Sequence, residues 1–396
     1  MANPMQASSR KLKVLAVFGT RPEAIKLAPV LRAMRDDKRF EPHVCVTAQH
    51  RGMLDQVLTF FQIEPDFDLD LMQPDQSLYE LSASALQGLE RVLTRVQPDW
   101  VLVQGDTTTT LMGALAAFYA RIPVAHLEAG LRTQDKYAPF PEEINRRLTS
   151  HIADLHFAPT GSARENLLRE GIEDVRIVVS GNTVIDALLW AREKVRQAPS
   201  VVDRGVLQRF SDPLRRLVLV TAHRREAFGS GLHAICLALK ELAQAHPEVD
   251  FVWPVHRNPN VREPVMQLLG PRDAGQPNVV LLDPVDYPTL VWLLERCHLA
   301  LTDSGGIQEE APALGKPVLV MRAVTERHEG IEAGTARLVG MQQEYITRSV
   351  TELLSNMEAY RRMSRAANPY GNGHSAECVL ATLANFITSS NHAIQK

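Results

Sequence analysis

The feature that most constrains this chain is a recurring pattern: an unbroken apolar run of four or five residues, a polar turn, then a helical pattern. Runs 14–18, 100–103, 217–220, 251–255 and 317–321 read this way, and 123–127 and 155–158 do so with one histidine each. A strand that is apolar throughout has no wet face, so it belongs inside a parallel sheet covered by helices on both sides. Strands alternating with helices predict an α/β chain of βα units. At 396 residues the chain exceeds one core and predicts two such domains. The rhythm continues into the second half without detectable sequence repetition.

Composition serves mainly to exclude. With 43 Lys and Arg against 46 Asp and Glu the formal net charge is −3, which gives no field to hold nucleic acid or an anionic membrane. Cys45, Cys236, Cys297 and Cys378 are widely spaced with no C-x-x-C pair, so neither a zinc site nor a disulfide frame is predicted. The first apolar run, 14–18, is too short for a signal sequence. A soluble protein of the reducing cytoplasm is the expectation.

In open parallel sheets, ligands bind beyond the C-terminal ends of the strands, so the residues there carry the functional reading. Gly19-Thr20-Arg21-Pro22-Glu23 turns the first run into a helix and places Arg21 and Lys26 near that edge. Two cations there fit an anionic ligand, and equally fit solvated charges at a helix start. Gln104-Gly105-Asp106-Thr107 follows the run 100–103, with threonines that suit helix capping. Glu128 follows the next run, and Glu142 enters a helix from a proline-shaped loop. Each acid alone reads as a surface carboxylate. Three on one rim suggest proton-transfer chemistry, because like charges held close raise one another's pKa.

In the second half His223 follows a run and precedes Arg224 and Arg225. Thr302-Asp303-Ser304-Gly305-Gly306-Ile307-Gln308-Glu309-Glu310 reads as a strand end, a tight glycine turn and a helix from Ile307. Such a helix start favours phosphate through its unpaired N–H groups and dipole. The bland alternative is that Ser304 simply caps the helix. Segment 66–70 alternates and predicts a strand with one wet face rather than a metal motif. Segment 197–212 loses periodicity and reads as a linker or surface excursion, and segment 325–330 as a loop rich in charge and poor in packing. Gly371-Asn372-Gly373 breaks the chain before a last helix, 376–387.

Taken together, Phe18-Gly19-Thr20-Arg21-Pro22-Glu23-Ala24-Ile25-Lys26, Gln104-Gly105-Asp106-Thr107, His126-Leu127-Glu128-Ala129-Gly130-Leu131-Arg132-Thr133 and Pro141-Glu142-Glu143 resemble the bacterial non-hydrolysing UDP-N-acetylglucosamine 2-epimerases. His223-Arg224-Arg225-Glu226, Asp303 to Glu310 and Thr325-Glu326-Arg327 continue the resemblance in order. It implies two Rossmann-like domains in a GT-B arrangement with an active site in the cleft between them, usually a homodimer, serving cell-surface polysaccharide biosynthesis. The implied domains are 1–180, joined by a crossing helix 374–396, and a UDP-binding domain 181–373.

The implied reaction interconverts UDP-GlcNAc and UDP-ManNAc by anti elimination of UDP, a 2-acetamidoglucal intermediate and syn re-addition. No carbonyl acidifies C2, so cleavage of the C1–O bond does so instead, and no cofactor or metal is required. By matched position Asp106, Glu128 and Glu142 are the implied catalytic acids, and His223 completes that set near the diphosphate. Ser304, Gly305 and Gly306 would hold the diphosphate and Glu310 the ribose hydroxyls, while Arg21, Lys26 and Arg327 would contact UDP. Gln49 and His256 match a second, allosteric nucleotide-sugar site. The chain departs from the family pattern at Ala222, Gly52, His328 and Asn372. A hydrolysing epimerase releasing ManNAc and UDP, a GT-B glycosyltransferase, and a nucleotide-sugar sensor without turnover are the competing readings.

Overall fold

The computed structural model describes residues 10–48, 51–73, 76–270 and 277–393. Chain contacts divide it into two units, Met1–Ala187 with Gly371–Lys396, and Leu188–Tyr370. Each is an α/β unit built on one parallel sheet.

The first sheet has seven strands: β1 (Leu12–Phe18), β2 (Phe40–Val46), β3 (Phe67–Asp68), β4 (Trp100–Gln104), β5 (Val124–Leu127), β6 (Leu155–Ala158) and β7 (Ile177–Val179). Their order is β3-β2-β1-β4-β5-β6-β7, every pair parallel. Every residue from Val14 to Phe18 and from Trp100 to Val103 is buried, as the apolar runs require for strands covered on both faces. The chain winds one way from β1 to β2 and β3, then resumes on the other side at β4. The connections leaving β1 and β4 therefore diverge, and this switch point opens a crevice at the strands' C-terminal ends.

The second sheet repeats the scheme with β8 (Arg216–Thr221), β9 (Val249–Pro254), β10 (Val279–Leu282), β11 (Leu299–Thr302), β12 (Val318–Val320) and β13 (Ala336–Leu338). The order β10-β9-β8-β11-β12-β13 puts its switch point between β8 and β11, which pair from Leu299↔Val218 to Thr302↔Thr221.

Three sequence expectations change. The alternating segment 66–70 gives a strand of only two residues: Asp66 N and Leu69 N still donate to the Val44 and Val46 carbonyls (2.9 Å each), but Asp70 turns the chain away at φ 44°. Segment 197–212 is no linker: it holds the helix Arg204–Arg209, capped by Asp203, with Val206 and Phe210 buried in the second unit's core. Its short helix is too brief to show periodicity in sequence. Finally, Gly305 and Gly306 are not a turn but the first two residues of the helix Gly305–Ala313.

The last helix runs Ser375–Ala393, packs on the helix Arg21–Asp36 of the first unit, and is fastened at its start by Asp186 Oδ1, which accepts from Ala376 N at 2.9 Å. Among the described residues no helix is long and apolar enough to cross a membrane.

Candidate functional site

At the first switch point, β1 ends in Gly19 and Thr20, and the helix Arg21–Asp36 begins with Pro22 in its first turn, where a missing N–H costs nothing. Glu23 turns back from that helix and is 2% exposed. One of its oxygens accepts Gly19 N (3.0 Å) and Thr20 N (2.7 Å), and the other accepts the hydroxyls of Thr107 (2.7 Å) and Thr110 (3.2 Å). One buried carboxylate thus ties the loop after β1 to the helix Thr108–Tyr119 after β4. Burial raises its pKa above the ordinary 4.5, against the hydrogen bonds from Thr107, Thr20 and Gly19.

Asp106 lies in the β4 loop just before this cap. Its backbone is held on both sides. The Gly105 carbonyl accepts from His126 Nε2 at 2.7 Å, and the Asp106 carbonyl accepts from Asn145 Nδ2 at 2.9 Å. A carbonyl only accepts, so the His126 proton is on Nε2. Burial takes the His126 pKa down to about 4, so the ring is neutral. The Asp106 carboxylate pairs with Arg146, whose side chain is 7% exposed and also reaches Glu143 Oε2 at 3.4 Å.

Glu128 follows β5 in left-handed backbone, φ 61°, which costs a non-glycine residue about 1–2 kcal/mol and is held here by its neighbours. Lys26 pairs with its carboxylate, and Gln104 Nε2 (3.0 Å) and Asn182 Nδ2 (3.3 Å) donate to it. The side chains of Lys26 and Glu128 are both largely buried. Two residues on, Gly130 has φ 92°, and a Cβ there would sit 2.2 Å from the Ala163 carbonyl oxygen.

Glu142 opens the helix Glu142–Ile152. Asn145 and Arg146 follow it by three and four residues and so share its helix face. Through those two side chains the structure brings the Glu142 helix start to Asp106, while Gln104 at the end of β4 reaches Glu128. Arg21 is the first residue of its helix and is partly buried.

The second switch point mirrors the first. Asp303 follows β11 and is 0% exposed. Its Oδ2 accepts the backbone N–H groups of His223 and Arg224, each at 2.7 Å, closing the loop after β8 onto β11. His223 Nδ1 lies 3.2 Å from Oδ1. Burial pushes the Asp303 pKa up, but the His223 ring and the Arg224 and His223 N–H groups outweigh it and hold it below the ordinary 3.8. The His223 ring stacks on His256, centroids 5.7 Å apart and 21° between planes. His256 Nδ1 accepts from Asn258 N (3.1 Å), so the His256 proton is on Nε2.

Ser304 occupies the N-cap position but makes no side-chain cap hydrogen bond, which sets aside the reading of this serine as a plain cap. Gly305 has no unusual backbone angle, but a Cβ there would meet the Arg327 guanidinium carbon at 2.8 Å, so the end of that side chain would have to shift. Arg327 lies across the helix start, 9% exposed, with Nε 2.9 Å from Glu309 Oε1 and Nη1 on Glu326. Glu326 is shared further with Arg322 (2.8 Å) and Arg224 (3.5 Å). Burial pushes Glu326 up, but Arg327, Arg322 and Arg224 prevail and hold it far below the usual carboxylate range. Segment 325–330 is therefore well packed, contrary to the expectation of a loose charged loop, because its charges neutralise one another. Glu310 is 5% exposed and accepts from the Tyr287 hydroxyl at 3.1 Å.

Gln49 lies outside the described residues. Sequence reasoning passed over Glu23, Arg146, Gln104, Asn182 and the partner role of Asp303. Thr20-Arg21-Pro22-Glu23 does spell a capping box, so Glu23 was within reach. Arg146, Gln104 and Asn182 act across the fold and carry no local signal. Among the described residues no cluster of three His, Cys, Asp or Glu is arranged to hold a metal ion.

The family model described as UDP-N-acetylglucosamine 2-epimerase matches residues 32–384. A UDP-N-acetylglucosamine 2-epimerase of Escherichia coli (strain K12) is 55% identical over 375 residues, covering 94% of this chain and 99% of that protein. The crystal structure of the Neisseria meningitidis UDP-GlcNAc 2-epimerase bound to UDP-GlcNAc has a TM-score of 0.88 at 48% identity and covers 94% of this chain and all of that one (100%). The Methanocaldococcus jannaschii enzyme in complex with UDP-GlcNAc and UDP has a TM-score of 0.79 at 33% identity, with 94% and 100% covered.

Proposed function

The chain belongs to the UDP-N-acetylglucosamine 2-epimerase family, and from that premise we propose that it interconverts UDP-GlcNAc and UDP-ManNAc without releasing the sugar. The observation that carries the proposal is the set of carboxylates at the end of β4, the end of β5 and the start of the following helix: Asp106, Glu128 and Glu142. Asp106 and Glu128 each face a cation, Arg146 and Lys26.

Inverting C2 requires a proton to leave one face and return to the other. As the C1–O bond breaks, its electron pair goes to the diphosphate oxygen and positive charge grows at C1, which acidifies the C2 proton. A carboxylate takes that proton, the C2–H pair becomes the C1–C2 double bond, and 2-acetamidoglucal is left beside UDP. In the return step a carboxylic acid protonates the opposite face of C2, and the UDP oxygen re-forms its bond to C1. Proton donors and acceptors placed this way contribute about 10²–10⁴-fold each.

The second unit supplies the grip on UDP. Ser304, Gly305 and Gly306 at the start of a nine-residue helix offer N–H groups and the dipole to the diphosphate, and Arg327 adds charge beside them. Glu310, already oriented by Tyr287, accepts from the ribose diol. Arg21 and Lys26 are the remaining cations of the proposed UDP contacts. Holding the departed UDP is what separates epimerisation from hydrolysis.

Proton NMR of UDP-GlcNAc incubated with the protein in deuterated water tests this directly. UDP-ManNAc with deuterium at C2 is expected. Free ManNAc accumulating with UDP would establish a hydrolysing enzyme, and products without C2 deuterium would point to glycosyl transfer.

The reading includes a cytoplasmic homodimer, of use to cell-surface polysaccharide synthesis. Phe118 and Tyr119, 60% and 65% exposed at the end of the helix Thr108–Tyr119, and Leu148, 48% exposed on the adjoining helix, suit burial against a second copy. Light scattering should give twice the chain mass of 44.1 kDa.

A further inference from the structure

Asp303 has a task beyond closing its loop. Its two oxygens are used differently. Oδ2 takes both backbone N–H groups of the turn, whereas Oδ1 meets no well-aligned donor among the described residues and faces only the edge of the His223 ring at 3.2 Å. A fully buried carboxylate oxygen left without a donor costs about 1–3 kcal/mol or more, so the ring proton belongs there. With its pKa held below the ordinary value, Asp303 is ionised and can only accept. The proton on the facing nitrogen, Nδ1, follows.

We propose that Asp303 is a positioning residue for His223: it fixes the imidazole proton on Nδ1 and so makes Nε2 the nitrogen that meets the diphosphate. The proposal rests on the reading that His223 serves UDP departure and return. As imidazolium, Nε2–H donates to the diphosphate oxygen that receives the electron pair when C1–O breaks. As neutral imidazole, Nε2 presents a lone pair. Stacking on His256, whose own proton is on Nε2, keeps the plane of the His223 ring fixed while Asp303 fixes its edge. A carboxylate that sets a histidine's tautomer is worth as much as about 10⁴-fold in turnover where the histidine acts on the reacting groups.

The test begins with the unaltered protein. In a long-range proton–nitrogen spectrum, with His223 assigned from the His223→Gln variant, the Nδ1-protonated pattern is expected. An Nε2-protonated pattern would overturn the proposal before any substitution is made. Adding UDP should move the Nε2 resonance more than Nδ1, and an unmoved Nε2 would remove the diphosphate contact. Neither readout depends on turnover, so they stand apart from the epimerase reading, which is judged by product formation.

Asp303→Asn keeps an oxygen for the two backbone N–H groups but turns an amide toward Nδ1. The tautomer should switch, and kcat should fall about 10²–10⁴-fold with KM changed less than about five-fold. Placed in the His223→Gln background, the same change should cost less than about three-fold more, since its route of action is already gone. Losses that multiply would show that Asp303 merely holds the turn, and the proposal would fall.

Discussion

The two switch points are closed by the same device, built from opposite sides. In the first sheet the carboxylate comes from the helix after β1, where Glu23 holds the β1 loop by its N–H groups and grips Thr107 and Thr110 beyond β4. In the second it comes from the end of β11, where Asp303 grips the N–H groups of the β8 loop. Both are buried, yet their acidities move apart. Glu23 has only neutral donors, and burial raises its pKa; Asp303 faces an imidazole, and its pKa is lowered. The topology dictates that a crevice opens at each point, but the partner given to the closing carboxylate decides its charge state. It is inert as a support in one sheet and electrostatically coupled to the ring of His223 in the other.

Beyond these ties the edges diverge in purpose. The first carries acids matched with cations; the second carries a glycine helix start and an arginine–glutamate network. The largest expected effect separates the two. Asp106→Asn or Glu142→Gln should lower kcat about 10²–10⁴-fold while leaving UDP affinity, by calorimetry, within a few-fold. Near-normal turnover in both variants would remove the first edge from the chemistry.

Gly305→Ala should do the reverse. Its Cβ would sit 2.8 Å from the Arg327 guanidinium carbon, so the end of the Arg327 side chain must shift over the helix start. UDP affinity should weaken about ten-fold, which is about 1.4 kcal/mol, with the rate on bound substrate changed less than affinity. Unaltered UDP binding would mean that Arg327 does not hold the nucleotide.

The sequence disclosed these edges unevenly. Strand runs such as 14–18 and 217–220 were legible because burial on both faces leaves no polar residue to mask them. Asp106 and Glu128 were legible as residues that follow such runs, and Glu142 as the start of a helix after a proline-shaped loop. Arg146 was not, because its pairing with Asp106 spans forty positions that only the β4–β5 adjacency brings together. The close approach of Arg327 to Gly305 was hidden for the same kind of reason: the two lie far apart in the chain, and the sequence shows the glycine without its neighbour.

The smallest effect tests the comparison itself, through stability against pH. A carboxyl whose folded pKa is raised contributes stability that is full below its unfolded value and is lost as pH rises through the folded one. Glu23 is of that kind, with an ordinary value of 4.5. Glu23→Gln keeps an oxygen for the Gly19 and Thr20 N–H groups and an amide for the threonine hydroxyls, and it does not titrate. Relative to the parent, its midpoint should therefore improve as pH rises above about 4.5. A carboxyl whose folded pKa is lowered contributes stability present above its unfolded value and lost as pH falls through the folded one. Asp303, ordinary value 3.8, is of that kind, so Asp303→Asn should fall further behind the parent as pH rises out of the acid range toward about 4. Denaturant midpoints from about pH 3 to about pH 8 should give slopes of opposite sign for the two variants. Slopes of the same sign would mean that the two carboxylates are in one charge state, and that His223 does not set the second apart from the first.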